Sequence, residues 1–420
     1  MNQSNNFVGQ HIFSQLLSVA NRQVIVQATA KHHPDKYYKA FTIWDHFVSM
    51  MYCVLSGCTS LREIEVGLAA FEGKLNHLGL NQAPSRSTIS DGNKQRKSVC
   101  FQSIYEQLMK QCKSGLSDSK LPTEVLKQLF ALDSTVFQLF KAILKTAGRN
   151  PIEGKKKGGI KKHTLLQVSA MMPVLVRFTA AAEHDQNILP EVKLPSGSYL
   201  TFDKAFNNYA HFAAFTEQGV WFITRQKDNA VYQSITELEP GDKTADSVLK
   251  EEIIEVSYQD QNHQQCSLRL RRIAWWDVPQ QRLFVFITNN FEQSPQTIAL
   301  IYRHRWKIEL FFKKLKQNFP LAYFVGDNQN AIEIQIWCAL IGLLLLSAIH
   351  HQHQSIMSFS IMVALIRTHL INYLSLSAFL QQYNQKKIRR KKPPDNAANL
   401  FSPPAIQKAD NELSTRSEKI

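Results

Sequence analysis

Two apolar runs, each interrupted by a single acid, limit the fold more than any other feature of the chain. LFALDSTVF (Leu129–Phe137) reads as a strand with one acid inside it, Asp133. SYLTFDKAF (Ser198–Phe206) reads as another, and it ends on Asp203. Between them, KKHTLLQVSA and PVLVRFTAAA (Lys161–Ala170, Pro173–Ala182) read as two antiparallel strands that meet around Met171–Met172–Pro173. Tyr209–Glu217 then fits a helix and VWFITRQ (Val220–Gln226) a fifth strand. A carboxylate is expensive to bury without a partner. Taken singly, either acid could be a capping or surface aspartate; two in one sheet suggest a common purpose.

Four strands, a helix, a strand and a further helix follow the order of a ribonuclease H-like α/β fold. That order sets the first and fourth strands side by side, so Asp133 and Asp203 converge on one edge of the sheet. More β texture follows over Glu251–Ile287, in IIEVSY, CSLRLRRIAWW and RLFVFITNN. Pro295–Gln317 then reads as one helix and Asn330–Ile349 as another. The first 120 residues read as helical. Ile12–Gln23 and Phe41–Leu55 carry helical apolar spacing. Thr59 or Ser60 can cap a helix through Phe71, with Glu63 closing a capping box. PSRSTISDGNKQRK (Pro84–Lys97) admits two readings, the basic half of a helix-turn-helix or a solvated basic helix start.

The third acid comes from IYRHRWKIELFFKKLKQN (Ile301–Asn318). With Glu309 at 0° and ~100° per residue, Tyr302 falls near +20°, Arg305 near −40°, Lys313 near +40°, Lys316 near −20° and Trp306 near +60°. Ile308, Phe311 and Leu315 form a separate stripe between about −100° and −160°, facing a core. One face therefore holds an acid ringed by three cations and two aromatic rings. A plain solvated helix also places Lys four residues after Glu, but it has no need of Tyr302 and Trp306 on the same face.

Three such carboxylates can hold two Mg²⁺ ions about 3.5–4 Å apart, the arrangement that drives in-line phosphodiester displacement. Magnesium takes oxygen ligands, which suits Asp and Glu and not His or Cys. Arg and Lys beside the third acid would grip flanking phosphates, and a Trp or Tyr can stack on an unpaired base. The charge balance agrees: 49 Lys and Arg against 34 Asp and Glu give +15 over 420 residues, which makes a polyanion the leading partner.

Tyr302, Arg305, Glu309 and Lys316 stand at Y-x2-R-x3-E-x6-K. With LDSTVF around Asp133, TFDKAF around Asp203 and NAIEIQIWCALIGLLLL after the signature helix, the chain resembles bacterial insertion-sequence transposases of the DDE class, in the insertion-sequence-four family. The likeness covers about Leu129–Ile349, and the helical leader shares it less specifically. The family usually carries Gly soon after the second Asp, where this chain has Ala205. The resemblance implies that Asp133, Asp203 and Glu309 are the catalytic, metal-binding residues and that Tyr302, Arg305 and Lys316 contact the DNA backbone. It also implies that Trp306 lies against the terminal nucleotides; Lys313, on the same face, joins the DNA-binding set. The expected cofactor is Mg²⁺, two ions, with Mn²⁺ as a substitute. Expected partners are double-stranded DNA, as inverted ends and as target, and a second copy of the chain.

The expected architecture is α/β: a ribonuclease H-like core with a β-rich insertion, preceded by a helical N-terminal domain. The expected bounds are 1–120 for a DNA-binding leader, 125–226 and 291–350 for the core, 227–290 for the insertion, 351–385 for a C-terminal helical region and 386–420 for a basic tail of little structure. Within the insertion, Trp275 or Trp276 is either a stacking ring or a core residue. GKKKGGIKKH (Gly154–His163) is either a phosphate-cradling loop or a solvated hairpin tip. HHQH (His350–His353) lacks partners at ligand spacing, and IWCALIGLLLL (Ile336–Leu346) is shorter than the ~20 residues that span a bilayer, so a buried core helix is expected. Six scattered cysteines without a C-x-x-C pair, and MNQSNNFVGQ without an apolar signal segment, point to the cytoplasm, in association with the nucleoid. The function expected is cut-and-paste transposition. The alternatives are a ribonuclease H-like nuclease and a catalytically silent DNA-binding relative.

Overall fold

A computed structural model describes residues 9–112, 125–138, 159–238, 247–353 and 357–391, apart from single positions 37, 72, 127, 261, 320 and 322. The first part is helical: α1 (Ile12–Ala20), α2 (Arg22–Thr29), α3 (Ile43–Ser56), α4 (Leu61–Ala69), α5 (Arg86–Gln95) and α6 (Val99–Cys112). The apolar run Ile12–Gln23, expected as one helix, is two. Asn21 adopts a left-handed φ of 46° and caps α2 by accepting from the Gln23 N–H at 2.9 Å. A short polar side chain tolerates that conformation and satisfies a free helix-end donor. The cap at Ser60 forms as expected, with Thr59 and Ser60 both bonded to Glu63.

Residues 70–85, with a 3₁₀ turn inside them, separate α4 from α5, a longer link than a helix-turn-helix uses. The α5 residues Ile89, Gly92 and Asn93 are buried. Arg96, from the basic stretch, is buried against Asp35 at 3.0 Å and the Phe41 carbonyl at 2.8 Å. Arg86, Lys94 and Lys97 stay exposed.

The sheet contains β1 (Leu129–Gln138), β2 (Gly159–Gln167), β3 (Met172–Ala180), β4 (Tyr199–Phe202), β5 (Trp221–Arg225), β6 (Gln233–Glu237), β7 (Val248–Gln259), β8 (Gln265–Asp277) and β9 (Arg282–Thr288). Their order is β3-β2-β1-β4-β5-β9-β8-β7-β6. Strands β1, β4 and β5 run parallel, and the hairpin β2–β3 lies antiparallel beside β1. This is the ribonuclease H-like arrangement, with α7 (Tyr209–Glu217) crossing from β4 to β5. Strands β6–β9 continue the same sheet through the β5–β9 pairing.

Strand alternation divides the sheet between two cores. Leu129, Ala131 and Phe137 face one, with the leader helices; Phe130, Leu132, Leu200 and Phe222 face the other, with Phe212 and Phe215 of α7. The C-terminal part adds α8 (Pro295–Arg303), α9 (Trp306–Asn318), α10 (Gln329–Gln352), α11 (Phe359–Thr368) and α12 (Leu376–Lys391). Helix α10 is the core helix expected from its apolar run: its most apolar window has mean hydropathy 2.1, yet 83% of it is buried. It packs against α3, α5 and α6, so the leader shares one hydrophobic cluster with it.

Two further expectations need correction. Pro295–Gln317 is not one helix but α8 and α9, because the backbone tightens at the joint. His304, Arg305, Lys307 and Ile308 donate three residues back, to Ile301, Tyr302, His304 and Arg305, at 2.9–3.1 Å. Such 3₁₀ bonds overwind a helix, so a uniform 100° step fails there. The basic tail is helical at its start, since α12 runs to Lys391; residues 392–420 lie outside the described residues.

Candidate active site

Asp133 sits mid-β1, one residue beyond Leu132, whose pairing with Phe202 is the last of the β1–β4 ladder. Asp203 directly follows β4 and caps a 3₁₀ turn by accepting from the Ala205 N–H at 3.2 Å. Both acids therefore leave the carboxyl ends of adjacent parallel strands, where open α/β sheets form their crevice. Glu309 comes from the first turn of α9. The three line one cavity of about 390 Å³ with Ser134, Asp185, Arg225, Arg282, Phe284, Tyr302, Arg305 and Trp306.

Two arginines organise the acids. Arg305, buried at 5% exposure, donates from Nη1 to Asp133 Oδ2 at 3.3 Å and from Nη2 to Glu309 Oε1 at 2.7 Å. Arg225, at the end of β5, donates to Asp203 Oδ2 at 2.7 Å. The environments of the two aspartates differ accordingly. Burial pushes Asp133 up to about 6, against the pull of the Ser134 N–H and Arg305; the charges of Glu309 and Asp203 push the same way as burial. Burial also acts upward on Asp203, but the bonds from Arg225 and the Ala205 N–H outweigh it and leave that carboxyl below its ordinary value. Burial works against the Arg305 charge as well, and Tyr302, Glu309 and Asp133 overcome it.

The remaining signature residues take distinct places. Tyr302 is 4% exposed, packed on Phe286 at 5.0 Å between ring centroids, and its hydroxyl is pushed up by burial. Trp306 is 47% exposed, with the Arg305 guanidinium 5.2 Å from its ring. Lys316 is exposed and donates to Thr135 Oγ1 at 2.6 Å and the Val136 carbonyl at 3.3 Å, which fixes it beside β1. Lys313 is exposed on α9. Trp275 lines an adjoining cavity of about 240 Å³ with Phe284, Phe286, Tyr302, Arg303 and Trp306.

Of the basic loop Gly154–His163, residues 154–158 lie outside the described residues. The rest turns inward: Lys162 is fully buried near the rings of Phe137, Phe311 and Phe312, and burial drives its ammonium down to about 7. His350 bonds to the Met357 carbonyl at 2.9 Å, so it serves the α10–α11 connection.

The residue that sequence reasoning missed is Arg225. Its signal was present, a base closing the fifth strand in ITRQ, but only the β4–β5 register shows that it reaches Asp203. Asp185, at the start of the 3₁₀ turn that follows β3, takes its place on the cavity wall.

The donor set suits a hard divalent cation, because the acids offer only oxygen and Asp133 is a carboxylate burdened by burial and like charge. Among the described residues no three His, Cys, Asp or Glu side chains are gathered tightly enough to share one ion. Arg305 stands between Asp133 and Glu309, and Arg225 against Asp203.

Comparison with known proteins adds the family. Residues 125–345 match the family described as "Transposase DDE domain", and residues 8–81 match a domain of unknown function, DUF4372. The chain is 25% identical over 264 residues to a putative transposase, y4zB, of Sinorhizobium fredii, covering 63% of this chain and 71% of that protein. It is 28% identical over 227 residues to a probable transposase for insertion sequence element IS5377 of Geobacillus stearothermophilus, covering 54% and 58%. Among solved structures, the piggyBac transposase synaptic complex with hairpin DNA aligns at a TM-score of 0.40 and 12% identity, over 91% of this chain and 84% of that one. The family match spans more than half of the chain and includes Asp133, Asp203 and Glu309. The chain belongs to the DDE transposases of the insertion-sequence-four type, and its function is that of a DNA transposase.

Proposed function

We propose that the chain carries out cut-and-paste transposition of an insertion sequence, with Asp133, Asp203 and Glu309 as its catalytic, metal-binding residues. The observation that carries this reading is the convergence of three carboxylates, from β1, the β4 end and α9, on one cavity whose other walls carry arginines and aromatic rings beside Ser134, Asp185 and Ala205. When bound there, two Mg²⁺ ions, with Mn²⁺ as substitute, supply activation of the attacking oxygen and stabilisation of the leaving oxygen. The protein's own groups do the rest. Arg305 and Arg225 hold the carboxylates in the free protein and can turn to phosphate oxygens as DNA enters. Lys316, braced on β1, and Lys313 contact the end backbone. Trp306, with Trp275 across the adjoining cavity, offers rings to an unpaired terminal base. Tyr302 supports the arginine from below, with Arg305 5.8 Å from its ring.

The leader, residues 1–120, binds DNA through its exposed cations, and two copies act on paired ends. Residues 125–226 and 291–350 are the catalytic core, 227–290 the insertion, 351–385 a helical support and 386–420 a non-specific DNA tail. A reading as a silent DNA-binding relative is disfavoured by the three acids standing together.

The deciding experiment is cleavage of a duplex that carries the element's end. Asp133→Ala, Asp203→Ala and Glu309→Ala should each abolish cleavage in Mg²⁺ or Mn²⁺ while leaving gel-shift binding largely intact. Calcium should support binding but little cleavage. Robust cleavage in EDTA, or appreciable Mg²⁺-dependent nicking by any one variant, would contradict the assignment.

A further inference from the structure

We infer that Asp185 is a positioning residue of the catalytic centre: from the cavity wall, on the side of β1 opposite Asp133, it anchors Ser134 and thereby sets the orientation of Asp133. The inference deepens the reading of Asp133 as a metal-binding residue and rests on it.

Successive residues of a strand point to opposite faces. Asp133 shares a face with Leu129, Ala131 and Phe137, toward α9 and Glu309. Ser134 shares the other face with Phe130 and Leu132. On that face the 3₁₀ turn Asp185–Glu191 lies over the sheet through Ile188 and Leu189. The Ser134 hydroxyl donates to Asp185 Oδ1 at 2.7 Å, and the Ser134 N–H donates to Asp133 Oδ1 at 2.8 Å. One serine thus bridges the two acids, side chain to one and backbone to the other.

The anchor sits where β1 has lost a neighbour. Pairing with β4 ends at Leu132, while β2 continues opposite Asp133 and Ser134 through Thr164 and His163. A strand held on one side only can shift or twist, and the bond to Asp185 supplies the restraint that β4 no longer gives. Asp185 is itself held by β2: Lys161 Nζ lies 3.2 Å and His163 Nδ1 3.7 Å from the same Oδ1. Lys161 also donates to the Glu183 carbonyl at 2.7 Å, and His163 Nε2 meets Thr179 Oγ1 at 2.9 Å, which ties the cluster to β3. The turn that carries Asp185 also packs against the Lys204–Phe206 turn that follows Asp203, so it lies against the exits of both catalytic strands. Removing partners that orient a metal ligand commonly weakens metal binding by about 10–100-fold.

The test uses the full chain and MgCl₂ titrations followed by thermal unfolding, with single-turnover cleavage as a second readout. Asp185→Ala and Ser134→Ala should each raise the Mg²⁺ concentration for half-maximal stabilisation about tenfold. The double variant should be no worse than either, because both changes break one bond. Asp185→Asn keeps an oxygen acceptor for Ser134 and should restore the Mg²⁺ midpoint to within about threefold of wild type. The inference is overturned if Asp185→Ala lowers the melting temperature but leaves the Mg²⁺ midpoint unmoved, since Asp185 is then structural only. Additive losses in the double variant, or an Asn variant as impaired as Ala, overturn it too. A wild-type protein that shows no Mg²⁺ stabilisation counts instead against the metal assignment of Asp133.

Discussion

Asp133 should make the folded protein less stable, and replacing it with asparagine should reveal by how much. Its carboxyl stands at about 6 in the folded protein against an ordinary 3.8, chiefly through burial. At pH 7 the side chain is ionised in both folded and unfolded chains, so folding carries the cost of that difference, roughly 3 kcal/mol at ~1.4 kcal/mol per pH unit. The cost remains although Arg305 lies 3.3 Å away, because the upward value already includes that attraction. The sign follows from proton binding. Between pH 3.8 and 6 the folded chain holds a proton that the unfolded chain has lost, so stability is highest below the unfolded value and falls as pH rises through the folded one. Asp133→Asn removes the charge and keeps the shape. Urea denaturation in EDTA, followed by circular dichroism, should therefore find the variant more stable by about 2–3 kcal/mol at pH 7, with the gain shrinking through pH 5 and vanishing near pH 3.5. The same variant should not cleave DNA. A variant less stable than wild type at pH 7, or one whose gain does not depend on pH, would refute the reasoning.

Arg225→Ala should act in the opposite sense. It strips a partly buried Asp203 of its partner, and should lose roughly 1–2 kcal/mol at pH 7; the loss should fade as pH drops through the carboxylate range, because Asp203 is held below its ordinary value. Equal losses at pH 7 and pH 3, measured by urea midpoints, would show that the pair is not the cause. Lys316→Ala should slow single-turnover cleavage at saturating protein, since Lys316 is fixed to Thr135 and Val136 beside Asp133. Deleting residues 386–420 should instead weaken binding to any duplex and flatten its salt dependence with little change in that rate; the reverse pattern would sink the distinction.

Much of the sheet was legible because its signals are local. A lone acid inside LFALDSTVF and another closing SYLTF marked two strands, and the order of elements set them side by side, as the Leu132–Phe202 pairing bears out. What was not legible depended on bonds a periodicity cannot register. The stripe through Tyr302 and Glu309 assumed one even helix; 3₁₀ bonds around Arg305 split it in two, although Tyr302, Arg305, Trp306 and Glu309 still line one cavity. Asn21 breaks the first helix by a backbone conformation that no apolar pattern encodes. Arg225 reaches Asp203 only across a strand register, and the packing of the leader on α10 joins segments remote in sequence. Lys162 looked like part of a DNA-facing loop, and only the strand's parity places it inside, on the face opposite Lys161.

The pairing of acids with arginines also explains how so charged a centre can sit in a folded core before DNA arrives. Uncompensated carboxylates at this depth would either stay protonated or unfold the crevice. Arg305 and Arg225 neutralise them from within, at distances of 2.7–3.3 Å. The guanidinium groups that do so are also the groups best shaped to take phosphate oxygens. A carboxylate released by Arg305 regains its desolvation penalty unless another cation replaces the arginine. In the proposed mechanism the entry of DNA phosphate therefore favours the binding of divalent cations at the acids, and bound cations in turn free the arginine for DNA. Such linkage is reciprocal by necessity. It would leave Mg²⁺ binding weaker on the free protein and strengthen it on substrate, with the overwound joint between α8 and α9 placing Arg305 where the exchange occurs.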